Sequence, residues 1–241
     1  MNIFICGGTS GIGLELCKFY LKKRNNVYCL GRNFLQINKF VKKNHLNNFC
    51  FKIIFDLKKN FNDNMIKEIS NLDKIVICPG FVNDNLIKFF NNKIFDNLIK
   101  VNLTNPVKII SNLYSKKKIN NNAQIVFVTS LLGSYKFRPG ALGYALSKAG
   151  IISAVKSLAL EFAEKNISVN AVAPAMVETN LIKNLRNISK DQFDVDKKKY
   201  ILEKKYLSIK EINDQIIYLL SKKAKRITGQ TLVIDAGYLL K

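Results

Sequence analysis

Short apolar runs alternate along the chain with longer segments in which apolar residues recur every three to four positions. The runs have the length of β-strands, and several are apolar at nearly every position. Strands of that kind are typical of a parallel sheet that is covered on both faces. The pattern predicts seven strands, at residues 2–6, 27–30, 49–55, 74–78, 124–129, 168–173 and 231–234.

The intervening segments have the period of amphipathic helices, and they predict helices at about 11–24, 33–44, 60–72, 92–118, 142–165 and 208–222. This succession predicts an α/β fold, a single-domain Rossmann-type doubly wound parallel sheet of about seven strands with helices on both faces. We expect one domain, residues 1–241, because no linker divides the chain. Residues 176–205 are polar, irregular and follow a strand, so we expect them to form a substrate flap.

A glycine-rich segment follows the first predicted strand directly and leads into a helix. It reads Gly7-Gly8-Thr9-Ser10-Gly11-Ile12-Gly13. Glycines let the backbone turn tightly and approach a pyrophosphate, and the N-terminus of the following helix offers N–H groups and a positive dipole end. Because this motif lies between a strand and a helix, it predicts a dinucleotide-binding site.

The end of the second predicted strand indicates which dinucleotide is bound. NAD-binding proteins usually carry an acidic residue there for the ribose hydroxyls, whereas this chain has Gly31 followed by Arg32. A guanidinium can hold a 2′-phosphate through two hydrogen bonds. We therefore predict NADP (as NADPH) rather than NAD, the alternative being that Arg32 is an ordinary surface arginine.

The stretch from Ser130 to Lys148 suggests the chemistry. Tyr144 and Lys148 are four residues apart, so on a helix they share one face. A phenol has a pKa of about 10, and an ammonium one turn away favours its ionised form, so we expect Lys148 to lower the pKa of Tyr144. Ser130 ends an apolar strand and could hold a substrate oxygen against the phenol. Singly each residue could be structural, but together they predict interconversion of a carbonyl and an alcohol.

The charge balance is strongly basic, with 39 Lys and Arg against 17 Asp and Glu and a formal net charge of +22. Such a charge can indicate nucleic-acid binding. Here, however, lysine and asparagine are scattered everywhere, while arginine, the better reader of phosphates and bases, is scarce. We interpret the charge as a compositional bias and expect no nucleic-acid partner, although it could attract an anionic cofactor or an acidic carrier.

The remaining composition excludes several other classes. The five cysteines contain no Cys-x-x-Cys pair and are typical of buried thiols in a reducing compartment. The single histidine, His45, lies in a polar stretch, which argues against a serine–histidine triad and against the usual zinc sites. No apolar run approaches the roughly 18 residues of a membrane span, and we see no signal peptide. We expect a cytoplasmic protein with no membrane association and no metal.

Over nearly its whole length the chain resembles the classical short-chain dehydrogenase/reductase family. The family's Thr-Gly-x-x-x-Gly-x-Gly motif falls on residues 6–13, with cysteine in place of threonine. Its catalytic serine falls on Ser130, and its Tyr-x-x-x-Lys pair falls on Tyr144 and Lys148. The spacing from the serine to the tyrosine is one residue longer than is common in the family, so we expect the loop at 133–140 to bulge. Its Asn-Asn-Ala-Gly motif falls on residues 77–80, of which only Gly80 is retained.

The resemblance implies roles for further residues. It gives Asn102 a catalytic role alongside the serine, tyrosine and lysine, by holding a water that relays protons through the lysine. It implies that Asp56 contacts adenine and that Thr179 contacts the nicotinamide end. The expected cofactor-binding residues are Gly7, Thr9, Ser10, Gly11, Ile12, Gly13, Arg32, Asp56, Gly80, Tyr144, Lys148, Pro174, Val177 and Thr179.

Two segments, 168–174 and 229–237, look especially like 3-oxoacyl-carrier-protein reductases. The resemblance therefore implies an NADP(H)-dependent oxidoreductase that acts on a ketone, on the 3-keto group of an acyl thioester or on a secondary alcohol. The alternatives are an enzyme that acts on a sugar-derived or other small polar substrate, and a non-catalytic nucleotide-binding sensor.

The helix that begins near Tyr144 carries small residues on more than one face, among them Ala145, Ser147, Ala149 and Gly150. Small side chains allow another helix to approach closely, and one face alone is needed for packing on the chain's own sheet. The family resemblance places a subunit interface at this helix. We therefore expect a symmetric homo-oligomer, a dimer or a tetramer.

Overall fold

A central parallel sheet organises the computed structural model, which describes residues 1–179 and 190–241. Within these residues seven strands lie in the order β3-β2-β1-β4-β5-β6-β7. They are β1 (Asn2–Cys6), β2 (Asn26–Gly31), β3 (Cys50–Ile54), β4 (Leu72–Ile77), β5 (Ile119–Val128), β6 (Ser168–Pro174) and β7 (Thr231–Ile234). The order runs outward in both directions from the β1–β4 pair, so the predicted doubly wound sheet is confirmed.

Helices cover both faces of the sheet. They are α1 (Gly11–Lys22), α2 (Leu35–Lys43), α3 (Asn92–Ile99), α4 (Asn105–Ser115), α5 (Leu142–Glu161), α6 (Lys190–Lys197) and α7 (Ile209–Leu219). A π-helical turn, Lys100–Thr104, joins α3 to α4 without a break. The predicted helix at 92–118 is therefore helical over most of its length, with one local widening.

Two apolar clusters hold these layers together, one on each face of the sheet. Successive residues of β1 point to opposite faces: Ile3 and Ile5 join the cluster under α1, α2 and α7, whereas Phe4 and Cys6 join the cluster under α4 and α5. All four side chains are fully buried. This explains why the strands are apolar at consecutive positions rather than at alternate ones.

The predicted helix at 60–72 is wrong. The structure has only a short 3₁₀ turn there, Asp63–Ile66, and an irregular stretch at 67–71 leads from it to β4. The side-chain oxygen of Asn62 accepts a hydrogen bond from the backbone N–H of Asn64 at 3.0 Å. Asparagine side chains compete in this way with the helical backbone, and the apolar residues Ile66 and Ile69 reach the core without a helix.

Three thiols pack behind the glycine-rich segment. Cys6, Cys17 and Cys29 are free and fully buried. A Cβ atom added at Gly8 would lie 2.6 Å from the sulfur of Cys29 and 2.7 Å from that of Cys17. Burial raises the pKa values of Cys6 and Cys17 well above their ordinary values. These thiols therefore act as small apolar groups that support the loop.

Of the predicted flap, residues 180–189 lie outside the described residues. Its second half contains α6 and a turn that brings Tyr200 into the interior. The Tyr200 hydroxyl accepts a hydrogen bond from the backbone N–H of Met176 at 3.0 Å, just past the end of β6. In the described ranges, no helix is both long and apolar enough to cross a bilayer.

Candidate functional site

A cavity of about 1070 Å³ opens at the carboxyl ends of the strands. That volume is slightly above the roughly 300–1,000 Å³ typical of small-ligand sites, so it leaves room for both a dinucleotide and a substrate. Most of the residues predicted for the site line this cavity. They are Gly7, Thr9, Ser10, Gly11, Ile12, Arg32, Asp56, Gly80, Ser130, Tyr144, Lys148, Pro174, Val177 and Thr179. Gly13 and Asn102 are not among the lining residues.

The glycine-rich loop at one end of the cavity is packed too closely for side chains. Gly7 has a φ of +85°, and a Cβ atom at Gly13 would lie 2.3 Å from the carbonyl oxygen of Gly7. Helix α1 begins at Gly11 with no side-chain cap and no acidic residue in its first turn. Its N-terminal N–H groups and positive dipole end therefore suit a bound anion, and the loop fits a pyrophosphate.

Position 31, at the end of β2, cannot carry a carboxylate in this arrangement. A Cβ atom at Gly31 would lie 2.4 Å from the methyl group of Thr9 and 2.5 Å from its hydroxyl. Arg32, the next residue, is exposed and lines the cavity, as do Asp56 and Lys58 from the segment after β3. This end of the cavity therefore offers two cations and one carboxylate to a ligand.

Ser130, Tyr144 and Lys148 come together at the other end of the cavity. Ser130 follows β5, while Tyr144 and Lys148 lie one turn apart in the first half of α5. The hydroxyl of Thr129 donates a hydrogen bond to the carbonyl of Lys148 at 2.8 Å, which fixes the end of β5 against α5. A hydrogen bond joins the side chains of Ser130 and Tyr144. Two hydroxyl groups therefore share one point on the cavity wall.

The expectation that Lys148 lowers the pKa of Tyr144 is wrong for this structure. Burial raises the pKa of Tyr144, and the groups that oppose this effect are Ser130, through its hydrogen bond, and the positive charge of Arg138. The Lys148 nitrogen lies 5.7 Å from the centre of the tyrosine ring and donates hydrogen bonds to carbonyl oxygens instead. Desolvation therefore dominates over the ammonium.

Lys148 is itself buried in a polar niche. Its ammonium donates hydrogen bonds to the carbonyl of Val128 at 3.0 Å and to that of Pro79 at 3.3 Å. Burial lowers the pKa of Lys148 to about 8, and Cys78 acts in the opposite direction. A side chain with such a pKa can both give and accept a proton near neutral pH.

This pKa gives a prediction for stability. Below pH 8 the folded state carries the full cost of a buried ammonium, and that cost disappears as the pH rises from 8 to the usual lysine value of 10.5. Lys148→Met should raise the free energy of unfolding at pH 7 by about 2 kcal/mol. Removal of the buried charge contributes a gain of about 3 kcal/mol, and loss of the ammonium's hydrogen bonds costs about 1 kcal/mol. Urea unfolding from pH 7 to 10.5 should show this gain shrinking; a gain that does not change with pH would contradict it.

Asn102 lies in the π turn between α3 and α4 and is almost fully buried. Its side-chain oxygen accepts a hydrogen bond from the N–H of Phe81, and its NH₂ group donates to the carbonyl of Phe81, both at 2.9 Å. The NH₂ group also donates to the hydroxyl of Ser147 at 3.1 Å. In the structure Asn102 thus fixes the loop after β4 against α5 rather than lining the cavity.

Several residues of the cavity were not named individually from the sequence, although some of them lie in the predicted flap at 176–205. Lys136 and Arg138 come from the loop between β5 and α5, and this loop does turn sharply, with positive φ angles at Gly133 and Gly140. Others come from α6, from the turn after it and from the end of the chain; they are Asp191, Phe193, Asp196, Lys199, Tyr200 and Tyr238. The loop after β5 could have been suspected, because ligands bind at strand ends, but no sequence signal marked Tyr238.

Comparison with known proteins supports this picture. A family model described as enoyl-(acyl carrier protein) reductase matches residues 57–239. A 3-oxoacyl-[acyl-carrier-protein] reductase, FabG, from Buchnera aphidicola is 35% identical over 97% of this chain and 95% of its own length. An uncharacterized oxidoreductase, YxjF, from Bacillus subtilis is 31% identical over 97% of this chain and 96% of its own.

Solved structures agree with the sequence comparison. A short-chain dehydrogenase family protein from Francisella tularensis superposes with a TM-score of 0.86 at 27% identity, covering 100% of this chain and 99% of the other. A 4-hydroxyisoleucine dehydrogenase mutant in complex with NADH and succinate superposes with a TM-score of 0.87 at 26% identity, with the same coverage. With the sheet order, the cavity and the near-full-length matches taken together, the chain belongs to the short-chain dehydrogenase/reductase family of oxidoreductases.

Proposed function

We propose that this oxidoreductase uses NADP(H) to interconvert a carbonyl and a secondary alcohol, with a 3-oxoacyl thioester as its substrate. The observation that supports this most is the cavity itself. One end is a glycine-rich loop suited to a pyrophosphate, and the other carries Ser130, Tyr144 and Lys148. A dinucleotide bound along it would extend from the loop toward the two hydroxyl groups.

The chain's own residues have distinct tasks in this proposal. The cofactor, when bound, supplies the hydride for the carbonyl carbon. The hydroxyl groups of Ser130 and Tyr144 hold the developing negative charge on the carbonyl oxygen, as oxyanion sites do. Tyr144 then gives its proton to that oxygen as the general acid. Lys148, with a pKa of about 8, can return a proton to the phenolate, and Asn102 holds the loop after β4 in place.

The choice of a 3-oxoacyl thioester is supported by the relatives rather than by the cavity. The Buchnera relative and several others from Rickettsia are 3-oxoacyl-[acyl-carrier-protein] reductases. A formal net charge of +22 would also attract an acidic carrier over a long range.

A second candidate is a small polar substrate, and one observation favours it. Asp191, Asp196 and Lys199 line the cavity from α6 and the turn after it, so that wall offers charged groups among apolar and aromatic ones such as Phe193 and Val195. The 4-hydroxyisoleucine dehydrogenase neighbour is named for a small amino acid, which is compatible with such a wall on this fold.

One assay separates the two candidates. The purified chain is mixed with NADPH and either an acetoacetyl thioester or a panel of small keto-sugars and keto acids, and NADPH oxidation is followed by absorbance. We expect turnover with the thioester. Turnover with members of the panel only would reject the thioester and favour the polar substrate.

The preference for NADP is proposed from the adenosine end of the cavity. The close contact between Gly31 and Thr9 leaves no space for the acidic side chain that selects NAD. Arg32 and Lys58 line the same end and would attract a 2′-phosphate. The solved neighbour that binds NADH is a different protein, at 26% identity, so its complex does not determine which cofactor this chain prefers.

A matched pair of variants tests this preference. Arg32→Gln should raise the KM for NADPH by about 10- to 100-fold, because a charge-assisted hydrogen bond contributes about 1.5–3 kcal/mol. The KM for NADH should stay nearly unchanged. Arg226→Gln, at an exposed arginine that does not line the cavity, is the control and should alter neither value. Equal changes for both cofactors would contradict the preference for NADP.

We also infer that the protein acts in the cytoplasm as a homo-oligomer, a dimer or a tetramer. Leu142 and Leu146 on α5 are large apolar residues that are about half exposed. The small residues of α5 have an internal use as well, because Gly143 and Gly150 lie against Leu98 and Leu103 of the chain itself. Sedimentation equilibrium of the purified chain tests the inference, and a monomer at micromolar concentration would reject it.

A further inference from the structure

Two charged residues form an ion pair at the substrate end of the cavity, one from each of the loops that flank this end. We propose that Asp84 and Arg138 are positioning residues, which fix the loop before α5 and set the electrostatic field at the Tyr144 hydroxyl. The inference rests on the proposed role of Tyr144 as the general acid.

The pair joins two loops that are distant in the sequence. Asp84 lies in the loop after β4, and Arg138 lies in the loop after β5. A guanidinium nitrogen of Arg138 is 2.7 Å from a carboxylate oxygen of Asp84. Next to this ion pair, the backbone N–H of Asn85 donates a hydrogen bond to the carbonyl of Gly140 at 2.8 Å. Helix α5 begins two residues after Gly140, so the two contacts hold the segment that leads directly into its first turn.

The environment of the pair makes its charges effective. Arg138 lines the cavity, whereas the second carboxylate oxygen of Asp84 is buried and hydrogen-bonds to none of the described residues. The side chains are 36% (Arg138) and 22% (Asp84) exposed, so solvent screens the pair only in part, and the buried carboxylate oxygen depends on the neighbouring guanidinium for compensation. Loss of Arg138 would leave that negative charge beside the catalytic groups without a partner.

The two charges act on Tyr144 in opposite directions. The positive charge of Arg138 lowers the pKa of Tyr144, and the negative charge of Asp84 raises it. Two further polar groups act at the phenol: Ser130, whose hydrogen bond lowers the pKa, and the Lys148 ammonium, whose nitrogen lies 5.7 Å from the ring centre. Because the two charges nearly cancel, the pair as a whole shifts the pKa of Tyr144 less than either charge would alone.

Single substitutions should therefore shift the ionisation of Tyr144 in opposite directions. Asp84→Asn removes the negative charge and should move the ionisation to lower pH, by about half a pH unit or more. Arg138→Gln removes the positive charge and should move it to higher pH. The double variant should return toward the wild type, and Arg138→Lys, which keeps the charge, should stay close to it.

The measurement uses the full chain labelled with ¹³C at the tyrosine ring carbon that bears the hydroxyl. The Tyr144 resonance is identified by its loss in Tyr144→Phe, and its onset of titration is followed by NMR for each variant. The same variants are assayed for carbonyl reduction with NADPH, in which the alkaline limb of kcat/KM should move with the NMR onset. Asp214→Asn, which removes one partner of the exposed Lys210–Asp214 pair, is the control and should change neither.

The outcomes are distinguishable from those of the proposed function. Opposite shifts in the NMR onset support the pair even if none of the tested carbonyl compounds is reduced. Normal turnover with an unshifted onset, or with both single variants shifted the same way, would reject the inference and leave the reductase proposal standing. If thermal melting shows that Arg138→Gln is unfolded, the comparison of Asp84→Asn with Arg138→Lys still decides, because only the first should shift.

Discussion

Replacing Tyr144 with phenylalanine is expected to lower kcat for carbonyl reduction by about 10³-fold while leaving the KM for NADPH within about twofold. The substitution removes the proposed proton donor and one of the two hydroxyl groups at the cavity wall. General acid catalysis is typically worth 10²–10⁴-fold, and loss of an oxyanion contact adds to this. Stopped-flow absorbance of NADPH oxidation, with an acetoacetyl thioester or another confirmed carbonyl substrate, provides the measurement.

Tyr218→Phe is the matched control for this variant. Tyr218 is 42% exposed on α7 and does not line the cavity, so its loss of a hydroxyl should leave kcat unchanged. Intact turnover in Tyr144→Phe would remove the tyrosine from the chemistry and, with it, the proposed mechanism. An equal decrease in both variants would indicate a general effect on folding instead.

Gly13→Ala is expected to weaken NADPH binding by about 100-fold and to cost about 2–4 kcal/mol of stability. Its Cβ atom would lie 2.3 Å from the carbonyl oxygen of Gly7, which is backbone and cannot rotate away, and 2.8 Å from the sulfur of Cys78. The loop must open to admit the methyl group, and the geometry offered to the pyrophosphate is lost with it. Fluorescence titration with NADPH and urea unfolding measure the two effects.

Gly229→Ala is the control because it imposes backbone strain without a collision. Gly229 has a φ of +70°, and the closest atom to an added Cβ is the Cβ of Ala159, at an ordinary 3.6 Å. The cost should be about 1–2 kcal/mol of stability, with NADPH affinity unchanged. Wild-type affinity in Gly13→Ala would mean that the loop is not the phosphate site.

The periodic pattern was sufficient to predict the sheet, since all seven strands were anticipated and their parallel, doubly wound order followed from the strand–helix succession. It was insufficient where side chains compete with the backbone. The segment at 60–72 has helical spacing, but its asparagines hydrogen-bond locally. Similarly, the start of β5 was predicted at 124, whereas the strand begins at Ile119. Three consecutive asparagines after Ile119 resemble a loop in the sequence, and they lie where the pairing of β5 with β4 is irregular.

The candidate site was predictable as far as it depends on local motifs. The glycine-rich loop lies within one strand–helix unit, and the Tyr144–Lys148 pair lies within one helix. Residues of both motifs line the cavity. The contact between Asp84 and Arg138 joins residues 54 positions apart in the sequence, so no local sequence pattern could predict it. The pKa of Tyr144 was predicted in the wrong direction because sequence spacing gives the distance to a charge but not the loss of solvent.

The buried thiols behind the glycine-rich loop can be used to measure local unfolding. Cys6, Cys17 and Cys29 belong to β1, α1 and β2, and none of them reaches solvent while these elements stay together. An alkylating dye can label them only when the first βαβ unit separates. The rate of their labelling therefore measures how often the nucleotide half of the fold opens, and a bound dinucleotide should slow it in proportion to its occupancy.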